Sequence, residues 1–445
     1  MQAHYPRIAF LLASAHTGAA RGLWPELIAA AQSHRCILFV LPGGRLNAIG
    51  GFEYMRNDVY RYAQASNIDS ALCWASTLSG YATESAVESF LIDTVDVPMV
   101  TFGLKIDGQP FVGIDAYSGM KALVKHFIRN HKRKHIAFIA GPRQHSSAEE
   151  RYSAYCDALK EAHISYDSRL VCLDTPWSEG RRAMLDLIDG RGLVPGKDFD
   201  ALCTASDLLA FEAGIVLRER GIEIPSTISI GGFNDSEESR IFSPPLTTVR
   251  MPFTRQVLSA LRLLIDMRNG NPSDDILLKT KLVVRSSCGC VPQAFQMAGS
   301  TRVKARKSLP LSLIEAFSAS LASRKNNSFF EHLEKIFDED RSSSSYETGE
   351  TGMLENMLTA LRLEFLSRAS SRDEIDKIEK LIHQAMVALG LFKERKHEYL
   401  LWKEKEDEQK LNLFNQELLC AKDIQSIIKA AAAHLPGLGI SRVIW

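Results

Sequence analysis

From Arg7 to Cys290 the chain repeats one pattern, a short continuous apolar run followed by an amphipathic stretch. The runs are "RIAFLLA", "CILFVLP", "SALCWAS", "VPMVTFG", "HIAFIAG", "RLVCLD", "ALCTAS" and "ISIGGF". Between them lie helical patterns such as "WPELIAAAQSH", "GMKALVKHFIRNH", "RYSAYCDALKEAH" and "DLLAFEAGIVLRERG". A strand with one wet face alternates apolar and polar residues, whereas a strand covered on both faces reads as a continuous apolar run. Such strands separated by helices predict an α/β fold with parallel, doubly wound sheets. The number of units predicts two Rossmann-like lobes. Ligands of such folds bind where loops leave the carboxyl ends of the strands.

At 445 residues the chain is too long for one ordinary domain. With 45% hydrophobic and 24% charged residues it can bury a large core. Its formal net charge of zero gives no basic excess of the kind a nucleic-acid partner needs, so no direct DNA binding is expected. "RIAFLLA" lacks the basic flank and length of a signal peptide and is read as the first strand. No apolar run approaches the about 20 residues of a membrane span, and a cytoplasmic location is expected. Cys36, Cys73, Cys172 and Cys203 fall in strand-like runs, where Cys acts as a small hydrophobe. Cys288 and Cys290, in "SSCGC", form the only close pair. No His or Cys pair with metal-ligand spacing stands near them in the sequence, so neither a metal nor a cofactor is expected.

After Cys290 the pattern turns helical: "LSLIEAFSASLASR", "FFEHLEKIF", "MLENMLTALRLEFLSR" and "DEIDKIEKLIHQAMVALGLF", interrupted by the polar "DEDRSSSSYETGETG". The expected division is a two-lobed sensor over 1–290 and a helical domain over 291–390. A long signalling helix over 391–435 and the start of a further, GAF-like domain over 436–445 follow. Leu400, Leu411, Phe414, Leu418, Ala421 and Ile428 fall on an a/d-like register broken by Glu404, Asp407 and Gln425. The helix reads either as a short coiled coil or as a solvated helix on a bundle.

Several segments in order, "HIAFIAGP", "RYSAYCDALKEAHI", "ALCTASDLLAFEAGIVLRERGIEIPSTISIGGFND", "SPPLTTVRMP" and "LVVRSSCGC", resemble the effector-binding module of the lactose-repressor/galactose-repressor (LacI/GalR) family. The resemblance covers about residues 6–290. It implies a type I periplasmic-binding-protein fold with three crossovers between lobes and a hinge that closes on a ligand. "SPPLTTV" and "LLKTKLVVR" would be two of the crossovers. "LPGGRLNAIGGFEYMRN" and "VVRSSCGC" resemble a subgroup fused to outputs such as histidine kinases or diguanylate cyclases. Family repressors carry a helix-turn-helix ahead of the first strand, which here starts near Arg7.

The resemblance also nominates ligand contacts. Arg151 matches the family's effector arginine, against a surface arginine at a helix start. Trp177 matches an aromatic that stacks on a sugar or base, against a packing aromatic. Ser206 and Asp207 match the family's "A-N-D", against helix capping by Asp207. Asn234 would be delivered into the cleft by its strand end, with Asp235 beside it. In the N-terminal lobe Ser14, His16 and Thr17 stand where relatives place a contact loop, and Ser76 and Thr77 stand at another strand end; exposure or capping are the plain alternatives. Asp115 is read as a structural cap. The chain shows no G-x-S-x-G, P-loop, H-E-x-x-H or kinase signature, so no catalytic residue is nominated. The expectation is a sugar- or nucleoside-sensing homodimer that relays lobe closure through the C-terminal helix. A transcription regulator acting through a partner and a solute-binding protein are the alternatives.

Overall fold

The computed structural model describes residues 5–15, 23–48, 50–143, 145–271, 274–291, 310–322, 327–341, 353–421 and 423–438. The chain divides into two compact units, Met1–Gln293 and Ala294–Trp445.

The first unit holds two parallel sheets. The N-terminal lobe contains β1 (Arg7–Leu12), β2 (Ile37–Pro42), β3 (Ser70–Trp74), β4 (Met99–Phe102), β5 (Phe111–Asp115) and, from far along the chain, β11 (Ile276–Lys279). Their order is β11-β5-β4-β3-β1-β2, with every pairing parallel. The pleat sends alternate residues to opposite faces, and β1 shows why its run is continuous. Ile8, Phe10 and Leu12 join Leu27, Val257, Leu261 and Leu264 from α1 (Trp24–Ser33) and α9 (Phe253–Arg268). Ala9 and Leu11 join Val87 and Leu91 from α3 (Glu84–Thr94) on the other face. Full burial of a side chain such as Phe10 contributes about 1.5–3 kcal/mol. The edge strand β2 departs from the expectation of two covered faces, since Ile37 and Phe39 are exposed.

The C-terminal lobe carries β6 (Ile136–Ile139), β7 (Val171–Cys172), β8 (Ala201–Thr204) and β9 (Ser229–Gly231) in the parallel order β7-β6-β8-β9. It is packed by α4 (Ala116–His131), α5 (Ser146–Glu161), α6 (Gly180–Leu185) and α7 (Asp207–Glu219). The chain passes between lobes three times. It leaves the N-terminal sheet at β5, where the Asp115 carboxylate caps α4 by accepting from Ser118 N at 2.8 Å. It returns along β10 (Thr248–Arg250) and re-enters along β12 (Lys281–Val283), the two pairing antiparallel.

In the second unit α10 (Leu311–Ala322), α11 (Asn327–Arg341), α12 (Met353–Leu366) and the first half of α13 (Arg372–Cys420) share one core. It includes Phe317, Phe329, Leu358, Leu381 and Phe392. The 49-residue α13 runs without a break through the boundary expected at residue 390. It ends at Cys420, not near residue 435, because Ala421 turns extended and Asp423 caps a separate α14 (Ile424–His434). His434 of α14 lies 3.0 Å from Glu417, so the two helices form a hairpin. Most of the expected polar loop, and residues 439–445 of the expected further domain, lie outside the described residues. Among the described residues no helix is long and apolar enough to cross a membrane.

Candidate interlobe ligand site

The polar strand ends gather at the carboxyl edges of both sheets. In the C-terminal lobe α5 presents Arg151 in its second turn. Its side chain is buried, although no residue of the sequence pattern announced that. One NH1 proton goes to the carbonyl of Ala205 at 2.6 Å, while among the described residues NH2 faces only the Met251 sulfur at 3.7 Å and Nε has no partner. The guanidinium carbon stands 3.9 Å over the Phe233 ring and 5.9 Å from the Trp177 ring, a cation–π setting. No carboxylate pairs with it among the described residues. Burial outweighs the pull of Glu150 and Asp207 and brings its pKa down to about 10. It remains charged at neutral pH, so a buried cation stands with donor capacity to spare.

Trp177 follows β7, half-buried, with its indole over Gly141, where an added Cβ would lie 2.4 Å from the ring. The His145 ring meets it edge-on at 5.3 Å. The His145 Nδ1 is buried without a partner among the described residues, and burial, with Arg151 nearby, holds this imidazole neutral at a pKa of about 4. Across the lobes, Ser14 after β1 offers a buried hydroxyl that also lacks a partner among the described residues. The Glu84 carboxylate accepts from Ser146 N at 2.7 Å, which joins α3 of one lobe to the first turn of α5 in the other.

Other nominated residues have structural occupations. Thr77 donates to the carbonyl of Trp74 at 2.7 Å and accepts from Ala13 N at 3.1 Å, tying the ends of β1 and β3 together. The carbonyl of Ser76 accepts from Ser79 at 2.8 Å, in the four-residue helix α2 (Ala75–Leu78). Ser206, not Asp207, caps α7, accepting from Leu209 N at 3.3 Å. Asp207 is fully buried and receives Thr248 Oγ1 at 2.5 Å and Ser236 N at 2.8 Å. Burial raises its pKa to about 6 despite those donors. His16 and Thr17 lie outside the described residues.

Asn234 is half-buried at a φ of 121°, a backbone region that residues other than glycine enter at a cost. Its backbone is fixed by a bond from its N–H to the carbonyl of Val249 at 2.9 Å. Asp235, beside it, is buried and does not face solvent. Its side chain is 1% exposed, and its oxygens receive Arg250 Nε and Arg285 NH2, each at 2.5 Å. Burial pushes this carboxyl up, but the Arg285 and Arg250 guanidiniums outweigh it and hold it below its ordinary value. One carboxylate from the end of β9 thus clamps both return segments, β10 and the residues after β12.

Cys288 and Cys290 have no metal-spaced partner near them in the sequence, but the fold brings two histidines to them. Among the described residues His126, His131, Cys288 and Cys290 come together with their ligand atoms all within 4.8 Å of one another. Sequence reading missed His145, Phe233, Glu84 and this cluster. The paired cysteines and the H-x4-H spacing of His126 and His131 were the visible signals for the last.

Residues 124–288 match the family model described as a periplasmic binding protein-like domain. The chain is 31% identical over 267 residues to the HTH-type transcriptional regulator CelR of Thermobifida fusca, covering 58% of this chain and 73% of that protein. The chain belongs to the LacI/GalR family. It is also 34% identical over 167 residues to the HTH-type transcriptional regulator GalR of Escherichia coli, covering 37% of this chain and 47% of GalR. It therefore spans about half of GalR. A solved structure of a CelR–cellobiose complex aligns with a TM-score of 0.53 at 27% identity, over 64% of this chain and 85% of that one. The two-lobed α/β fold and the type of effector module are those the sequence resemblance implied. The expected output is not shown: these family relatives are HTH-type regulators, not kinase or cyclase fusions. They favour the transcription-regulator alternative and lend no support to the expected lack of a DNA partner.

Proposed function

We propose that residues 1–293 are the carbohydrate-sensing effector module of a transcription regulator, and that its ligand sits between the lobes against Arg151 and Trp177. The observation that carries this reading is the buried Arg151 guanidinium, which has no carboxylate partner described and an unpartnered Nε. A planar donor fork beside an indole face suits a sugar, since hydroxyls accept from the fork and C–H patches lie on the ring. The unpartnered Ser14 hydroxyl and His145 Nδ1 supply further polar positions on both lobes. The family relative solved with cellobiose supports a carbohydrate over a nucleoside. The module acts by binding, and lobe closure is the signal.

Thermal-shift measurements on the full chain with cellobiose, other mono- and disaccharides, and nucleosides test this. A ligand at a hundred times its Kd adds about 2.7 kcal/mol to native stability, so at least one saccharide should raise the melting temperature by several degrees. Stabilisation by nucleosides alone would refute the ligand class.

The same reading has the chain working as a dimer. Its support is the second half of α13, where Leu400, Leu401, Trp402, Leu411 and Leu413 are exposed. Light scattering on residues 1–445 should give a dimer, and Leu400→Glu with Leu411→Glu should weaken it if this helix carries the association. A wild-type monomer at tens of micromolar removes the dimer from the proposal.

A further inference from the structure

We infer that His126, His131, Cys288 and Cys290 form a structural zinc site that fastens the end of the sensor unit to its C-terminal lobe. Four donor separations match the edges of a tetrahedral shell. Zinc binds imidazole nitrogen at about 2.0–2.1 Å and thiolate sulfur at about 2.3 Å, which places the donors of a tetrahedral shell about 3.3–3.8 Å apart. His126 Nε2 lies 3.3 Å from His131 Nε2 and 3.4 Å from Cys288 Sγ. Cys290 Sγ lies 3.3 Å from His131 Nε2 and 3.7 Å from His126 Nε2. Two imidazole nitrogens and two sulfurs thus converge, with every pair of the four within 4.8 Å. Two thiolates with two imidazoles match the donor set of zinc, not that of calcium or magnesium.

The backbone that holds the donors is built independently of any ion. The turn Ser286–Cys288 is pinned by Ser287 Oγ, which donates to the carbonyl of Ile230 at 2.7 Å and accepts from Thr247 N at 2.8 Å. Ser229 Oγ donates to the carbonyl of Cys288 at 2.9 Å. Gly289 has φ 100°, a left-handed conformation that lets both flanking cysteines face the same side. Both histidines belong to the last turns of α4, which ends at His131. Four protein donors leave no open position, so the site is structural and not catalytic. It would join α4, the first element after the first crossover, to the residues that follow the last crossover. It stands immediately before the chain leaves the first unit.

The test uses the full chain, reduced, stripped with a chelator and titrated with cobalt(II). One equivalent should give visible d–d bands of tetrahedral intensity and near-ultraviolet thiolate charge-transfer bands, both erased by zinc(II). Metal analysis should return one zinc per chain. Cys290→Ala and His131→Asn should each lose the spectrum and the bound metal, while Cys420→Ser, at an exposed free thiol, keeps both. Wild-type cobalt spectra decide the matter even if a variant fails to fold. Absence of tetrahedral bands, bands that survive both substitutions, or a Cys288–Cys290 disulfide that resists reduction would each overturn the site.

Discussion

Asp235→Ala is expected to lower the stability of the first unit by about 3–5 kcal/mol, the loss typical of removing one partner from a buried ion pair. The magnitude follows from what stays behind. Arg250 and Arg285 have side-chain exposures of 38% and 17%, and both lose their carboxylate at once. Arg285 still donates to the carbonyl of Leu246 at 2.8 Å, but its second nitrogen is left without an anion. Truncating Arg250 instead should cost less, since it is the more exposed partner and Arg285 still neutralises Asp235. Urea unfolding followed by tryptophan fluorescence reads both variants, as Trp24, Trp74 and Trp177 lie in the first unit. The pH dependence has a definite sign. The folded pKa of Asp235 is depressed, so its contribution is complete above the unfolded value of 3.8 and disappears as pH falls through the folded value. The gap between wild type and Asp235→Ala should therefore narrow in acid. A loss below about 1 kcal/mol at neutral pH would mean that the clamp carries no more than a surface pair.

The contrast between Asp115, Asp207 and Asp235 shows what a sequence can reveal. Asp115 caps the helix that begins one residue later, so its partner is local and the pattern gives it away. Asp207 also stands at a helix start, yet it bonds Thr248, 41 positions on, and leaves the capping to Ser206. Asp235 selects two arginines from separate crossovers. Most strands of both sheets were legible because period and length are local properties, although the short β5, interrupted by Gly113, was passed over and β11 was read as part of a crossover. The zinc cluster was not legible for the same reason as the clamp. His126 and Cys288 are 162 positions apart, and only the closure of the C-terminal lobe unites them. Arg151 was found through family resemblance, but its burial and missing counter-ion are properties of the fold.

Arg151→Met should separate stability from binding, and the two effects should differ by orders of magnitude. A methionine is close in volume to the arginine stem and can rest against Phe233, which lies 3.9 Å from the guanidinium carbon. The carbonyl of Ala205 loses its donor, a cost of about 1 kcal/mol. Against this, a cation with little compensation is no longer buried, and replacing buried charge by apolar volume is often neutral or stabilising. Unliganded stability should therefore stay within about 1 kcal/mol of wild type. Affinity should not. A ligand that accepts two hydrogen bonds from the guanidinium loses about 3 kcal/mol or more with the arginine, which is about a hundredfold in Kd. Arg151→Lys should recover only part of it, because an ammonium keeps the charge but not the planar fork. Calorimetric titration of the best saccharide from the thermal screen, beside urea unfolding of both variants, reads the two quantities separately. Undiminished affinity in Arg151→Met would remove this residue from the ligand site. A stability loss of several kcal/mol with unchanged affinity would make Arg151 a packing post of α5, since a residue kept for its ligand leaves the unliganded fold nearly indifferent to its charge.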